Sequence, residues 1–241
     1  MTSTSLSSAP RGLAIVGHGK MGRLVEQLAP SYGFKVRVCL DVQDNAQGQG
    51  LTRGNLDGVD VAVEFSLPEA APENAKRLAA LGVNTVVGTT GWFERLAEVR
   101  AAVERHGTGL VWGANFSVGV NLFFQIAGHA ASLFAQQSSY DAWGWEIHHA
   151  AKKDSPSGTL LRLAEEMKKN GYGRAINLSA SRAGAHPGTH EIGFDSSADT
   201  ITLRHTARSR EGFARGALRT AAWLVGKKGF YEFGEIVSQL D

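Results

Sequence analysis

The sequence predicts an α/β fold: a doubly wound parallel sheet with a second, α+β domain. Three observations carry that expectation. From Leu13 onward, short β-branched runs alternate with helical stretches, the rhythm of βαβ units. The first of these runs leads straight into a glycine-rich turn that opens a helix. After Asn115 the alternation stops, and three later strand-like runs follow one another with no helix between them.

Taken in order, the strands of the first region are expected at 13–16, 34–40, 59–65, 83–87 and 109–112. Helices at 20–29, 68–81 and 92–106 lie between them, each with apolar residues at helical spacing. The second region opens with an apolar helix at 118–134 and a strand at 142–148. Its later strands, near 176–182, 190–195 and 200–205, predict an antiparallel or mixed sheet open on one face. A helix at 213–225 follows, and the tail 230–240 adds a last strand or helix to the first domain. The boundaries expected are 11–116 plus 208–241 for one domain and 117–207 for the other.

Composition narrows the function classes. Hydrophobic residues make up 43% and charged residues 20%, the profile of a globular protein rather than a disordered or fibrous one. Formal net charge is +2, so no whole-molecule field recruits nucleic acid, while local basic clusters remain suited to small acidic substrates. The single cysteine, Cys39, sits in the apolar run 36–40 and is expected to be a buried, inert thiol. No stretch reaches the roughly 20 consecutive apolar residues of a membrane helix, and residues 1–10 lack the basic start and apolar core of a signal peptide. Those ten are expected to form a disordered tail, and the cytoplasm is the expected compartment, with no membrane or nucleic-acid partner.

Gly17-His18-Gly19-Lys20-Met21-Gly22 fits G-x-G-x-x-G directly after a strand and at a helix start. Gly17 permits the tight turn, Gly19 lets the backbone approach a pyrophosphate, and Gly22 lets helix and strand pack closely. The free N–H groups of the helix start attract the anion. Asp41 ends the second strand, where a carboxylate can bond the adenosine ribose, which favours NADH slightly. Val42 stands where an arginine would bind a 2′-phosphate, and Lys20 and Arg37 keep NADPH open. Further strand ends, Phe65-Ser66 and Gly88-Thr89-Thr90-Gly91, point to the same crevice, and after the fifth strand come Gly113, Ala114, Asn115 and Phe116, of which Asn115 is a candidate for the nicotinamide amide.

The segment from Glu146 to Thr159 gathers two imidazoles, two ammonium groups and a helix start. Ser155 or Ser157 can cap that helix, and Pro156 stiffens the approach, so the N–H groups of Gly158 and Thr159 should face an incoming carboxylate. Lys152 and His149 can hold a carboxylate by charge-assisted hydrogen bonds, so the loop suits a small diacid. His148 titrates near neutrality and is a natural proton donor to an atom gaining electrons; Lys152 is the competing donor. No H-E-x-x-H or paired-cysteine spacing appears, and no metal is expected. No G-x-S-x-G elbow follows a strand, which disfavours a Ser-His-Asp hydrolase.

These residues resemble the 4-hydroxy-tetrahydrodipicolinate reductase family. Glu146 to Thr159 matches its signature E-x-H-H-x-x-K-x-D-x-P-S-G-T at each defined position. The glycine loop, Gly88-Thr89-Thr90-Gly91, Ala114-Asn115-Phe116-Ser117, Arg182-Ala183-Gly184, Gly188-Thr189-His190-Glu191-Ile192, His205-Thr206-Ala207 and Phe213-Ala214-Arg215-Gly216-Ala217 agree in order. The resemblance implies a Rossmann-type dinucleotide-binding domain with an inserted α+β domain that carries substrate and builds a homotetramer. It also implies an NAD(P)H-dependent oxidoreductase that takes a cyclic imino diacid in lysine biosynthesis by the diaminopimelate pathway. By that resemblance His148 is the acid/base, Lys152 the second proton donor, and His149, Gly158 and Thr159 bind substrate carboxylates. Gly17 to Gly22, Asp41, Gly88 to Thr90 and Gly113 to Phe116 would touch the cofactor, and Arg210 is a further candidate for the substrate. Two features depart from the family pattern: the glycine loop is the shorter form with Lys20 before the methionine, and Ser155 stands where alanine is common. The rival readings are a related NAD(P)-dependent amino or imino diacid dehydrogenase and a non-catalytic NAD sensor in which His148 and Lys152 are dispensable.

Overall fold

The computed structural model describes residues 9–240, so most of the expected tail at 1–10 lies outside the described residues. The described residues divide into two compact units: those up to Phe116 together with those from Phe213, and Ser117–Gly212.

The first unit is a six-stranded sheet with every neighbouring pair parallel. Its strands are β1 (Arg11–Val16), β2 (Phe34–Leu40), β3 (Val61–Glu64), β4 (Asn84–Val87), β5 (Gly109–Trp112) and, after the second unit, a strand at Gly229–Glu232. In space the order runs from that last strand through β5, β4, β3 and β1 to β2. Chain order therefore reverses direction around β1, the switch point at which open α/β sheets bind ligands beyond the carboxyl ends of their strands. Leu13 to Val16 are all buried, as a strand covered by helices on both faces must be. The helices of the first half are α1 (Lys20–Leu28), α2 (Ala71–Ala80) and α3 (Leu96–His106). α2 starts three residues later than the apolar pattern suggests, because the amides of Ala70 and Ala71 close a turn onto the Leu67 carbonyl first. α3 is likewise delayed by a 3-10 turn at Phe93–Arg95.

The second unit holds α4 (Val118–Phe134), β6 (Asp141–His148), α5 (Gly158–Lys169), β7 (Ile176–Arg182), β8 (Thr189–Asp195) and β9 (Thr200–Thr206). Its sheet is mixed, in the order β7-β6-β8-β9: β6 and β7 run parallel around the α5 crossover, and the other two pairs are antiparallel. Along β6, Ala142, Gly144, Glu146 and His148 are buried, while Trp143, Trp145 and Ile147 on the other face are half-exposed, so one face is open in the chain. The buried face packs with α4 and α5 around Phe123, Phe124, Leu160, Leu163, Met167 and Phe194. The ring of Phe134 stacks on that of Phe194 with centroids 4.3 Å apart, which closes the core's far end.

The chain returns to the first unit through α6 (Glu211–Leu224). The tail supplies both a strand and a helix: β10 (Gly229–Glu232) pairs with β5, and α7 (Phe233–Ile236) follows at once, its start fixed by a reciprocal Glu232–Glu235 capping box. Among the described residues no helix is long and apolar enough to cross a membrane.

Candidate active site

In the first unit the chain must turn sharply between the end of β1 and the start of α1. Gly17 does so at φ +89, and a Cβ there would lie 2.3 Å from the Phe65 carbonyl oxygen, so both the turn and the close approach require glycine. A Cβ on Gly22 would lie 2.1 Å from the Gly17 carbonyl oxygen, which is how helix and turn come so close. Nothing stands within 4 Å of a Cβ built on Gly19, so that side of the turn is open. Gly19 is the N-cap of α1 and has no side chain to cap it, which leaves the first helical N–H groups for an incoming anion.

A cavity of about 280 Å³ opens beside the turn, with Gly17, Gly19, Asp41, Asn45, Ser66 and Asn74 in its wall. Of the residues expected to meet a dinucleotide, Gly17, Gly19 and Asp41 thus share one space. His18 turns aside instead, its Nε2 lying 2.7 Å from Glu26 Oε2. Lys20 and Met21 open α1. Gly88, Thr89 and Thr90 follow β4, and Gly113, Ala114, Asn115 and Phe116 follow β5, at the same carboxyl edge of the parallel sheet. Thr89 is buried and its carbonyl accepts a hydrogen bond from Trp92 Nε1 at 2.8 Å, while Thr90 is exposed. The Phe116 ring is buried against Phe233, centroids 4.6 Å apart, so its backbone is what remains for a ligand. Arg37 sends its guanidinium beside Gly58, ahead of β3 and toward the amino edge of the sheet, away from any 2′-phosphate at the glycine turn. Cys39 is half-buried, and burial, with Glu26 beside it, pushes the thiol up to about 11, so the group is an unreactive thiol.

In the second unit the buried centre is Glu146. Its Oε1 accepts from the Ser157 amide at 2.8 Å and from Arg182 Nη2 at 2.8 Å. Its Oε2 accepts from Ser157 Oγ and lies 3.2 Å from His190 Nε2 and 3.7 Å from His148 Nδ1. The structure chooses Ser157 as the helix cap: its Oγ accepts from the Leu160 amide at 3.2 Å. Burial alone would raise the Glu146 carboxyl, but the hydrogen bonds from Ser157 and Arg182 outweigh it and hold the group below its usual range. His148 is pushed below its usual range, chiefly by burial; Glu146 and Asp154 pull it up while Lys152 and Arg182 push it down. Gly188, at φ +132, makes room for that ring, since a Cβ would lie 2.9 Å from His148 Nε2. His190, edge-on to His148 with ring centroids 4.9 Å apart, is pushed down to about 4, first by burial.

At the rim, Lys152 Nζ donates to both carboxylate oxygens of Asp154, at 2.7 and 2.9 Å. Lys152 first, with backbone N–H groups including that of Gly158, holds the Asp154 carboxyl below its usual range. Gly158 and Thr159 open α5, and half-exposed His149 accepts the Lys152 amide through its carbonyl at 3.1 Å. The loop therefore brings His148, His149, Lys152, Gly158 and Thr159 to one end of this unit. Arg210 stands exposed in the turn before α6.

Glu146, Arg182 and His190 as a buried group escape a reading of the sequence. Cross-strand register builds it, pairing Glu146 with His190 and His148 with Arg182. The i, i+2 spacing of Glu146 and His148 in a strand is the one local sign that they share a face. Glu146, His148 and His190 also place three atoms of metal-ligand type within 4.8 Å of one another. The oxygens of Glu146 are already taken by Ser157 and Arg182, however, and a guanidinium at 2.8 Å opposes a cation.

Two family descriptions match the chain: "Dihydrodipicolinate reductase, N-terminus" over residues 12–116 and "Dihydrodipicolinate reductase, C-terminus" over 119–237. The chain is 34% identical over 239 residues to the 4-hydroxy-tetrahydrodipicolinate reductase of Christiangramia forsetii, covering 95% of this chain and 98% of that protein. It is 36% identical over 256 residues to the enzyme of the same name from Archaeoglobus fulgidus, covering 91% of this chain and 96% of that protein. Its fold resembles that of dipicolinate-bound dihydrodipicolinate reductase from Paenisporosarcina sp. TG-14, with a TM-score of 0.74, 22% identity, and coverage of 94% of this chain and 99% of that one.

Proposed function

The chain belongs to the dihydrodipicolinate reductase family, and from that premise we propose how its own residues divide the work. The protein is an NAD(P)H-dependent oxidoreductase. It reduces 4-hydroxy-tetrahydrodipicolinate to tetrahydrodipicolinate with release of water, in lysine biosynthesis by the diaminopimelate pathway.

We assign the dinucleotide to residues 11–116 plus 208–241 and the substrate to 117–207. The residues of the first unit fit the cofactor: the glycine turn is open at Gly19, the start of α1 has uncapped N–H groups, and Asp41 lies in the adjoining cavity. Gly17 to Gly22 would hold the pyrophosphate, Asp41 the adenosine ribose, and Gly88 to Thr90 with the backbone of Gly113 to Phe116 the nicotinamide end. When bound, the cofactor supplies the hydride. NADH is favoured slightly over NADPH, because Asp41 repels a 2′-phosphate and Arg37 is turned to the opposite sheet edge.

In the second unit the N–H groups of Gly158 and Thr159, with His149 and Lys152, hold the two carboxylates. His148 is the proton donor and Lys152 a second one. The resting His148 ring is held toward its neutral form by burial. An arriving dianion adds negative charge beside it and draws a proton onto the ring, so the acid is charged when substrate is present. Glu146 lies 3.7 Å from His148 Nδ1 and bonds Ser157, the cap of α5, so one buried carboxylate stands beside both the acid and the anion seat. The observation that carries this reading is that the buried Glu146 carboxylate, bonded to the cap of α5, lies beside the imidazole. The open face of the mixed sheet supports a homotetramer through the second unit, which light scattering of the purified protein tests.

The deciding assay mixes the protein with freshly made 4-hydroxy-tetrahydrodipicolinate and follows loss of NADH and of NADPH. His148→Gln is expected to lower kcat by about 10² to 10⁴ with the fold intact. A folded parent that consumes neither cofactor overturns the reading.

A further inference from the structure

One buried ionisable group has no part in the chemistry above. Glu64 ends β3, opposite Val16 of β1 and Val87 of β4, in the middle of the sheet at the edge where the glycine turn lies. It is 0% exposed, in a strand whose other residues, Val61, Ala62 and Val63, are buried and apolar. Parallel strands are apolar throughout as a rule, so a carboxyl here must be held by specific partners.

Those partners form a chain. Glu64 Oε1 accepts from the Ser66 amide at 3.1 Å, from Ser66 Oγ, and from Asn74 Nδ2 at 3.4 Å. Asn74 Oδ1 accepts from Asn45 Nδ2 at 3.0 Å, and Asn45 Oδ1 accepts from the Gly50 amide at 3.1 Å. The links run from β3 through α2 into the loop after β2, and Ser66, Asn74 and Asn45 all stand in the wall of the cavity beside the glycine turn. On the other side Thr89, in the turn after β4, lies beside the same carboxyl. Ser66, Thr89 and Asn74 are all uncharged, and burial, the strongest influence, keeps the carboxyl above its usual range. That direction suits a wall that faces a polyanion, which a carboxylate would repel.

We propose that Glu64 is a positioning residue for the cofactor: its carboxyl sets the turn after β3 and, through Asn74 and Asn45, the loop after β2, so that both present the shape the adenosine half of NAD(P)H requires. The inference rests on the reading of this cavity as the dinucleotide site. Acting through other residues, Glu64 touches neither substrate nor reacting atoms.

The test compares Glu64→Ala, Glu64→Gln and Asn45→Ala with the parent, reading KM for NAD(P)H and kcat at saturating cofactor. Glu64→Ala is expected to raise KM about tenfold and leave kcat within about twofold, since the loss falls on cofactor binding alone. Glu64→Gln keeps the accepting oxygen and should hold KM within about threefold of the parent. Asn45→Ala cuts the chain at its outer end and should raise KM about threefold. A residue that merely supports the fold would lower the active fraction, and so kcat, with KM unchanged. That pattern in a folded Glu64→Ala overturns the proposal; should Glu64→Ala not fold, an unchanged KM in Asn45→Ala does so. Nicotinamide fluorescence of the parent with NADH separates two failures: no binding overturns the cavity reading, whereas parent and variants that bind equally overturn the positioning role alone.

Discussion

Glu64 in the first unit and Glu146 in the second are both 0% exposed, both at or near the carboxyl end of a central strand, and both bonded to a serine. Their carboxyls are nevertheless shifted in opposite directions, Glu64 up and Glu146 down. Burial is the strongest single influence on each and raises both. The partners differ. Glu146 has the guanidinium of Arg182 at 2.8 Å and the Ser157 amide at 2.8 Å, while Glu64 has one hydroxyl, an amide side chain and one backbone N–H. A cation beside a buried acid favours its charged form, and Glu146 has one where Glu64 has none.

The largest test of that contrast removes the cation. Arg182→Met leaves the Glu146 charge buried and unpaired and is expected to cost about 3–5 kcal/mol of stability by denaturant unfolding. An Asn74→Leu exchange beside Glu64 should cost less, about 1–3 kcal/mol. Equal costs would erase the distinction between the two sites. Next come the paired amides. Glu146→Gln leaves Arg182 without its counter-charge and should lose about 2 kcal/mol or more, whereas Glu64→Gln strands no cation and should stay within about 1 kcal/mol of the parent. A third test uses pH. His190 is pushed down to about 4 in the fold, against about 6.5 in an unfolded chain. The unfolded state then binds more protons between those values, so stability is full above about 6.5 and is lost as pH falls toward 4. His190→Gln should flatten that acid limb in unfolding measured across the window. Glu64 has the opposite sign: its raised carboxyl favours the fold at low pH, and the contribution fades as pH rises. The smallest effect is at the surface, where Asp154→Asn should change stability by less than about 1 kcal/mol, because its pair with Lys152 is exposed on the acid's side.

The same two units differ in how much their sequence discloses. In the first, each strand is a short apolar run and each crossover a periodic helix, so element order and sheet class follow from local pattern. Even Glu64 left a mark there, as a lone acid ending the run Val61-Ala62-Val63 before Phe65. In the second, the loop residues His148, His149, Lys152, Gly158 and Thr159 are near neighbours in the chain and can be picked out together. Arg182 and His190 are 36 and 44 positions beyond Glu146, and only strand register, which pairs β6 with β7 on one side and β8 on the other, brings them to it. Helix starts moved for a similar reason: the turns at Leu67 to Ala71 and Phe93 to Arg95 satisfy backbone groups in ways that apolar spacing does not encode.

The Lys152–Asp154 pair has one more consequence. With a carboxylate of its own against the Lys152 ammonium and the first amide of α5, the resting seat is already filled by an anion, while Lys153 beside it stands exposed. A ligand anion that takes this seat has to evict Asp154. Occupancy then becomes a swap of one negative group for another, and dissolved salt, which screens both partners alike, should alter it far less than it alters capture by an open cationic surface.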